Sequence, residues 1–547
     1  MKIALAQLNY IIGDFEHNYQ KMASHVEKAK AAGADLVVFS ELAVCGYPPR
    51  DFLEFPDFIH RCDAVVQQLA ALSQDIGIIV GAPAINPVPE GKDLFNCAYL
   101  LHEGKIQHVA KKALLPTYDI FDEYRYFEPA TTFNNVEFKG KKIALTVCED
   151  IWNIGNENPL YTICPMDELT KGNPDFMINI SASPFTYDKA EERIRIVREN
   201  VARYGVPMFY SNHVGAQTEI LFDGASLVVN AGGVVVDEMP YFEEAFQVYD
   251  LGEVTQATEN KVRPKEKIAL IHDALVMGIR NYFQKLGFSK AILGLSGGID
   301  SAVTLALAVE ALGKENVLSV LMPSQFSSDH SVNDSVQLCH NLESPYKTIP
   351  IKGMFDAFME ELTPHFEGKP FNVAEENIQA RSRGMLLMAL SNKHGYILLN
   401  TSNKSEAAVG YGTLYGDMAG GLSVIGDVYK VDVFALARYM NRHGEVVPEN
   451  IITKPPSAEL RPDQKDSDSL PEYDVLDEIL MLYIEQRMGP KEIIAQGHDP
   501  KLVHRILRLV NRSEYKRYQT PPMLRVSPKA FGMGRRMPIV AKYLEQS

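Results

Sequence analysis

Cysteine is scarce. Six thiols occur in 547 residues, at 45, 62, 97, 148, 164 and 339, with no CxxC spacing, which excludes a disulfide-stapled scaffold. No secretory signal precedes them: the opening stretch MKIALAQLNYIIGD carries Gln7, Asn9 and Asp14 among its apolar residues and reads as a core strand. Both signs point to a reducing cytoplasm, where thiols stay free and one can serve catalysis. No apolar run approaches the ~18 residues of a membrane span, so no membrane partner is expected. Basic residues are short as well, 54 Lys and Arg against 70 Asp and Glu, for a net charge of −16. Such a surface repels phosphate backbones, which excludes a general nucleic-acid binder. Small anions stay within reach, because a helix N-terminus or a single cation holds them locally. Glycine (37) and proline (31) are too few for a collagen-like or Pro-rich chain, and no repeat or low-complexity tract is present.

What is there is an ordinary globular composition, 46% hydrophobic and 23% charged. At ~150 residues per domain the length suits about three to four units, or two large ones. Up to residue 251, β-branched runs of strand length (KIALAQLN, DLVVFSELAV, IGIIVGAPA, KIALTVCED, FMINISAS, MFYSNH, SLVVNAGGVVVDE) alternate with helical stretches such as 188–204. Residues 252–267 lose apolar periodicity and read as a linker. From about Ile268 to 547 a strand–loop–helix–strand rhythm predicts βαβ units and a parallel sheet. The stretch 453–470 reads as a mobile, polar surface loop. The fold class is α/β, with two domains, 1–251 and 268–547.

The second half carries a glycine-rich turn: Gly294, Leu295, Ser296, Gly297, Gly298, Ile299, Asp300 and Ser301 follow one apolar strand and open a helix. Adjacent glycines let backbone approach a ligand closely, and the N–H groups of the helix start face an anion. Ser296 and Ser301 add hydroxyl donors, while Asp300 suits a Mg²⁺ that in turn holds phosphate. No GxxxxGK[ST] Walker loop occurs. In the first half Glu41, Lys112 and Cys148 each sit where an apolar strand ends or a loop begins. A thiol with a pKa near ~8.5 needs help to act as a nucleophile. A lysine favours the thiolate and steadies an oxyanion, while a carboxylate takes the thiol proton and later activates water.

The loop resembles the SGGxDS signature of ATP pyrophosphatases, which cleave ATP between its α and β phosphates to adenylate a carboxylate. The stretches SELAVCGYPPRD, KKALLPTYDIFDEYRYF, TVCEDIW and NISASPF resemble the nitrilase superfamily with its Glu–Lys–Cys triad. Cys45 in CGYPP is the alternative nucleophile, but choosing it strips the partner segments of their roles. Joined in this order over nearly the whole chain, the two modules resemble the glutamine-dependent NAD synthetase family. That resemblance implies an N-terminal nitrilase-like αββα sandwich and a C-terminal Rossmann-like adenine nucleotide alpha-hydrolase domain. It also implies ATP-dependent amidation of deamido-NAD⁺, with ammonia drawn from L-glutamine. It implies glutamine binding by Tyr118, Ser183 and Lys189, a supporting Glu123, and ATP binding by residues 294–301 and Thr401. Deamido-NAD would meet Asn377, Glu406 and Lys516, and Mg²⁺ would meet Asp300 and Glu406, with Lys404 and Asp417 as further pocket residues. An internal ammonia passage and a homo-oligomer, an octamer, are implied too. The competing reading is an amide hydrolase whose second domain only senses nucleotide, opposed by intact Asp300, Thr401 and Glu406. An amidotransferase for another carboxylate is the other alternative.

Overall fold

The protein was analysed as a computed structural model describing residues 1–547 apart from 157–159, 265, 458, 462, 463, 465, 467–469 and 545–547. Several residues of the expected surface loop 453–470, and residue 265 of the expected linker, therefore lie outside the described residues. The chain divides into two compact units, Met1–Lys265 and Glu266–Ser547.

Unit 1 is built on two six-stranded sheets. One orders its strands Ala245–Asp250, Lys2–Gln7, Leu36–Val38, Gly77–Ile85, Leu94–His102 and Lys105–Lys111. The other runs Val235–Glu238, Leu227–Val229, Met208–Asn212, Phe176–Ser181, Lys141–Val147 and Val136–Phe138. Alternate residues of each strand meet between the sheets: Ile3, Leu5, Val38 and Ile79 from the first face Ile143, Leu145, Ile178 and Phe209 from the second. Each such side chain contributes about 1.5–3 kcal/mol on leaving water. The opposite face of the second sheet (Met177, Met208, Tyr210) packs on Ile194, Val197 and Val201 of helix Lys189–Tyr204. The helix Pro56–Ala71 lies on strand Gly77–Ile85 of the first sheet. This is a four-layer α/β sandwich.

Three expectations change. The run DLVVFSELAV is strand only over Leu36–Val38, because the chain turns sharply at Leu42 (φ 47°) and Gly46 (φ 76°). The run SLVVNAGGVVVDE is a hairpin, Leu227–Val229 pairing antiparallel with Val235–Glu238. Strands Leu94–His102 and Lys105–Lys111 join through a two-residue turn with φ of 53° at Glu103 and 72° at Gly104, a conformation suited to a tight hairpin. The stretch expected as linker begins with a helix, Leu251–Gln256, whose Val254 is buried in the sandwich core. Lys261 then donates its N–H to Val235, and Arg263 to the Glu238 carboxylate, so this stretch lies on unit 1.

Unit 2 holds a parallel five-stranded sheet in the order Tyr346–Thr348, Val317–Leu321, Ala291–Gly294, Ile397–Asn400, Leu422–Ser423. The winding direction reverses between Ala291–Gly294 and Ile397–Asn400, the position where open α/β sheets leave a crevice. Ile292, Leu318, Val320 and Leu398 pack with Leu387 of helix Val373–His394. Helices Tyr473–Ile484 and Pro500–Arg512 build a separate apolar cluster with the short helix Lys404–Val409.

Gly81 is the tightest backbone approach under the first sheet. A Cβ there would sit 2.3 Å from the Leu42 nitrogen and 2.6 Å from the Ser40 oxygen. Gly81→Ala must therefore push the turn that carries Glu41 and is expected to cost about 1–3 kcal/mol. Gly353→Ala, in a helix with open space around it, is expected to be neutral or slightly stabilising. Thermal unfolding of the two variants checks the contrast.

Candidate functional site

In unit 1 the three expected residues come together. Glu41 lies in the turn after Leu36–Val38, Lys112 directly follows strand Lys105–Lys111, and Cys148 directly follows Lys141–Val147 at φ 45°. Lys112 and Glu41 are fully buried, and their ion pair closes at 2.7 Å. Glu123 takes the other side of the ammonium at 2.8 Å and is itself held by the Tyr47 hydroxyl at 2.9 Å. Glu41 also accepts from the Asn96 amide (2.7 Å) and the Ala182 N–H (2.9 Å). It therefore receives donors from both sheets.

A second buried acid binds the two sheets. Asp150, two residues past Cys148, accepts from the N–H groups of Ala113 and Leu114 at 2.9 Å and of Val147 at 3.1 Å. That carboxylate fixes the exit of Lys112 to the turn of Cys148.

Burial dominates the electrostatics. It pushes the Cys148 thiol well above its ordinary range, and the Glu41 charge adds to it against the pull of Lys112. The lysine does not outweigh those two effects, contrary to the expectation of a favoured thiolate. Burial opposes the Lys112 charge too, but Glu123, Glu41 and Cys148 overcome it and raise its pKa well above normal. Glu123 is pushed up to about 7 by burial, with Glu41 adding to that and Lys112 opposing it. The resting site is a neutral thiol beside a carboxylate that can take its proton.

The residues expected around glutamine line up less evenly. The Tyr118 hydroxyl donates to Glu149 at 2.9 Å, as does Tyr161 at 2.8 Å. Lys189 stands 4.0 Å over the ring of Trp152 and pairs with Glu192. Ser183 is buried and donates its N–H to Asn212. Asn212 in turn donates to the Gly224 carbonyl, which a buried Arg193–Asp223 pair also holds. Cys45 is buried and its thiol faces the Leu42 carbonyl.

In unit 2 the strand Ala291–Gly294 runs into the turn 295–298 and the helix Ile299–Leu312. Gly297 (φ 79°) packs so closely on the next helix that a Cβ would lie 2.3 Å from the Ser331 oxygen. Ser301 returns its hydroxyl to Ser296 and to the Gly298 carbonyl, closing the loop on itself. A cavity of about 240 Å³ opens at the reversal point, lined by Gly294, Ser296, Met322, Arg383, Thr401 and Asp417 among others.

Beside it lies an acidic cluster with one lysine. Asp300 accepts from Asn403 at 2.8 Å and pairs with Lys430 at 2.5 Å, while Glu406 approaches the same ammonium at 3.5 Å. Burial pushes Glu406 up to about 8, and Asp300 adds to it. Asn377 accepts from the Thr413 hydroxyl, and Asp417 accepts from the Thr413 N–H. Lys516 donates to the carbonyls of Gly410 and Gly412, so these residues meet around one loop. Lys404 does not belong with them. It is fully buried and held by Glu485 (2.7 Å), Asp427 (3.0 Å) and the Ser527 hydroxyl, because its position in the helix turns it into the core under residues 522–531.

A carbon-nitrogen hydrolase family profile matches residues 2–259 and an NAD synthase profile residues 271–520. A glutamine-dependent NAD(+) synthetase of Synechocystis sp. is 46% identical over 556 residues, spanning 100% of this chain and 99% of the relative. That of Acinetobacter baylyi is 43% identical over 98% of both. The solved glutamine-dependent NAD+ synthetase of Acinetobacter baumannii in complex with ADP aligns at 38% identity and a TM-score of 0.77, over 98% of each chain. The chain belongs to the glutamine-dependent NAD(+) synthetase family.

Sequence reasoning missed Glu149 and Asp150, although both stand in the word TVCED, because adjacent acids after a strand carry no local mark that separates buried ones from solvated ones. It also missed Asn403, which stands beside Thr401 and Lys404 in a motif-rich stretch, and Lys430, which no local motif marks; the fold brings both to Asp300. Alkylation of Cys148 by iodoacetamide, followed by peptide mass spectrometry, should rise about tenfold per pH unit from neutrality through pH 9. A plateau below pH 8 would show a resting thiolate instead.

Proposed function

We propose that this chain converts deamido-NAD⁺ to NAD⁺ with ATP, using ammonia cut from glutamine in unit 1. The observation that carries the reading is the pairing, in one chain, of a buried Glu41–Lys112 pair beside Cys148 with a pyrophosphate-type loop at a sheet reversal. Family membership supports it, as does the ADP held by the A. baumannii relative.

In unit 1 the Cys148 sulfur attacks the side-chain carbonyl of glutamine as Glu41 takes the thiol proton. Lys112, anchored by Glu123, offsets charge on the tetrahedral oxygen. The proton passes to the leaving nitrogen, ammonia departs, and a glutamyl thioester remains. Glu41 then deprotonates a water that hydrolyses it, returning the thiol and glutamate. Tyr118, Ser183 and Lys189 hold the substrate, and the Glu149 carboxylate suits its α-ammonium group.

In unit 2 the loop 294–301 and Thr401 hold ATP, and Asn377, Glu406 and Lys516 face the dinucleotide. The nicotinate carboxylate oxygen bonds to the α-phosphorus, pyrophosphate leaves, and ammonia displaces AMP from the acyl adenylate. Asp300 and Glu406 suit Mg²⁺, since they share a single ammonium, and burial together with the neighbouring Asp300 charge pushes Glu406 towards its neutral form. Two carboxylates are the protein share usual for an ion that also takes substrate phosphates. Bound there, Mg²⁺ supplies charge neutralisation of the departing pyrophosphate. The same reading carries a cytoplasmic location and a homo-oligomer, taken as an octamer from the family resemblance. Among the described residues no helix is long and apolar enough to cross a membrane.

Glutamine labelled with ¹⁵N at the amide, incubated with Mg-ATP and deamido-NAD⁺, should yield labelled NAD⁺, AMP and pyrophosphate by mass spectrometry. Release of glutamate without NAD⁺ would leave a glutaminase with another second reaction. Cys148→Ala should lower glutamine-supported synthesis by at least about 10³-fold yet keep synthesis from ammonium salts. Asp300→Ala should stop both while glutamate release continues; unchanged synthesis would refute the metal assignment.

A further inference from the structure

The cavity of unit 2 contains a cation that none of these roles uses. Arg383, on helix Val373–His394, lines it together with Ser296, Thr401 and Asp417. Its Nε donates to the Met322 carbonyl at 3.1 Å, just past strand Val317–Leu321, which sets the plane of the guanidinium. Among the described residues neither Nη atom has a hydrogen-bond or ion-pair partner. Asp417 and Glu459 act on it only at a distance, since Asp417 is engaged by Thr413, and Glu459 by Ser328 and Ser331. Burial lowers the Arg383 pKa to about 10, so the group remains charged at neutral pH.

A guanidinium offers five donors in a rigid fork, and here one is spoken for. Leaving the rest unpaired on a half-buried side chain that lines the cavity is costly without an anion, and a phosphoryl group answers a planar fork with two parallel bonds. The neighbouring lining suggests which phosphoryl. Leu321, Met322, Leu387, Leu398 and Leu399 form an apolar wall fit for an adenine ring, and Ser296 of the pyrophosphate-type loop borders the same space. We propose that the Nη atoms of Arg383 bind the phosphoryl group that stays with adenosine, first as the α-phosphate of ATP and then as the adenylate. The inference rests on the reading of unit 2 as an adenylating site. Arg383 would hold the non-bridging oxygens while the α-phosphorus breaks its bond to the β-phosphate oxygen and bonds to the nicotinate carboxylate.

Calorimetric titration of the full-length protein with AMP and with adenosine tests this without turnover. Wild type should prefer AMP. Arg383→Gln should cut that preference by about 10- to 100-fold with adenosine affinity unchanged, and Arg383→Lys should restore part of it. A thermal unfolding midpoint of unit 2 close to wild type confirms that each variant is folded. An unchanged AMP preference, or no preference in wild type, overturns the proposal. So does an equal loss for adenosine, which assigns Arg383 to the base or to packing. Weakening confined to deamido-NAD titrations overturns it in favour of the dinucleotide diphosphate. Failure of wild type to make NAD⁺ while the AMP result holds would refute the reaction and leave the phosphate contact standing.

Discussion

One buried ammonium organises the first unit. Lys112 is shut from bulk solvent between Glu41 and Glu123, so three ionisable groups meet in a buried space. Removing Lys112 would strand two buried carboxylates, a change that costs about 3–5 kcal/mol in comparable settings. Neutral donors support the arrangement: the Asn96 amide and the Ala182 N–H reach Glu41, and the Tyr47 hydroxyl reaches one oxygen of Glu123. Burial is the main reason the Cys148 thiol stays neutral, and the Glu41 charge adds to it against the pull of Lys112, so proton removal must accompany attack.

Unit 2 solves the opposite problem. It must hold polyanions in a chain with net charge −16, and it does so by locality. Arg383 lines the crevice, and Lys430 and the start of helix Ile299–Leu312 stand at Asp300 beside it, while the net charge of the chain stays acidic. The acids at Asp300 and Glu406 are tolerated there because Lys430 lies between them.

The legible parts of the sequence were those with a local pattern. The buried strands Lys141–Val147 and Phe176–Ser181 announce themselves as unbroken apolar runs, and the loop 294–301 by its glycines. Strand Lys105–Lys111 hides because it is only half-buried and reads KIQHVAK, too polar for an apolar run. Glu41 and Cys148 close strand-like words and Lys112 opens the run ALLPTY, but it is the resemblance of the surrounding words to the nitrilase triad that picks the three out together. Lys404 misled for the same reason: it adjoins Asn403 in a motif-rich stretch, and only the fold shows its side chain turning inward to Asp427. Arg383 has no sequence signal of its own, since nothing local distinguishes it from Arg381 two residues before it.

The pairing of Lys2–Gln7 with Ala245–Asp250 bears on how the molecule is made. The opening strand leaves the ribosome long before its antiparallel neighbour exists. At about 5–20 residues per second the wait is on the order of tens of seconds. During that interval one border of a largely apolar sheet lies open to any other nascent chain. Biogenesis of unit 1 is therefore paced by translation of its last strand, and crowded polysomes or slow codons before residue 245 would lengthen its most aggregation-exposed stage.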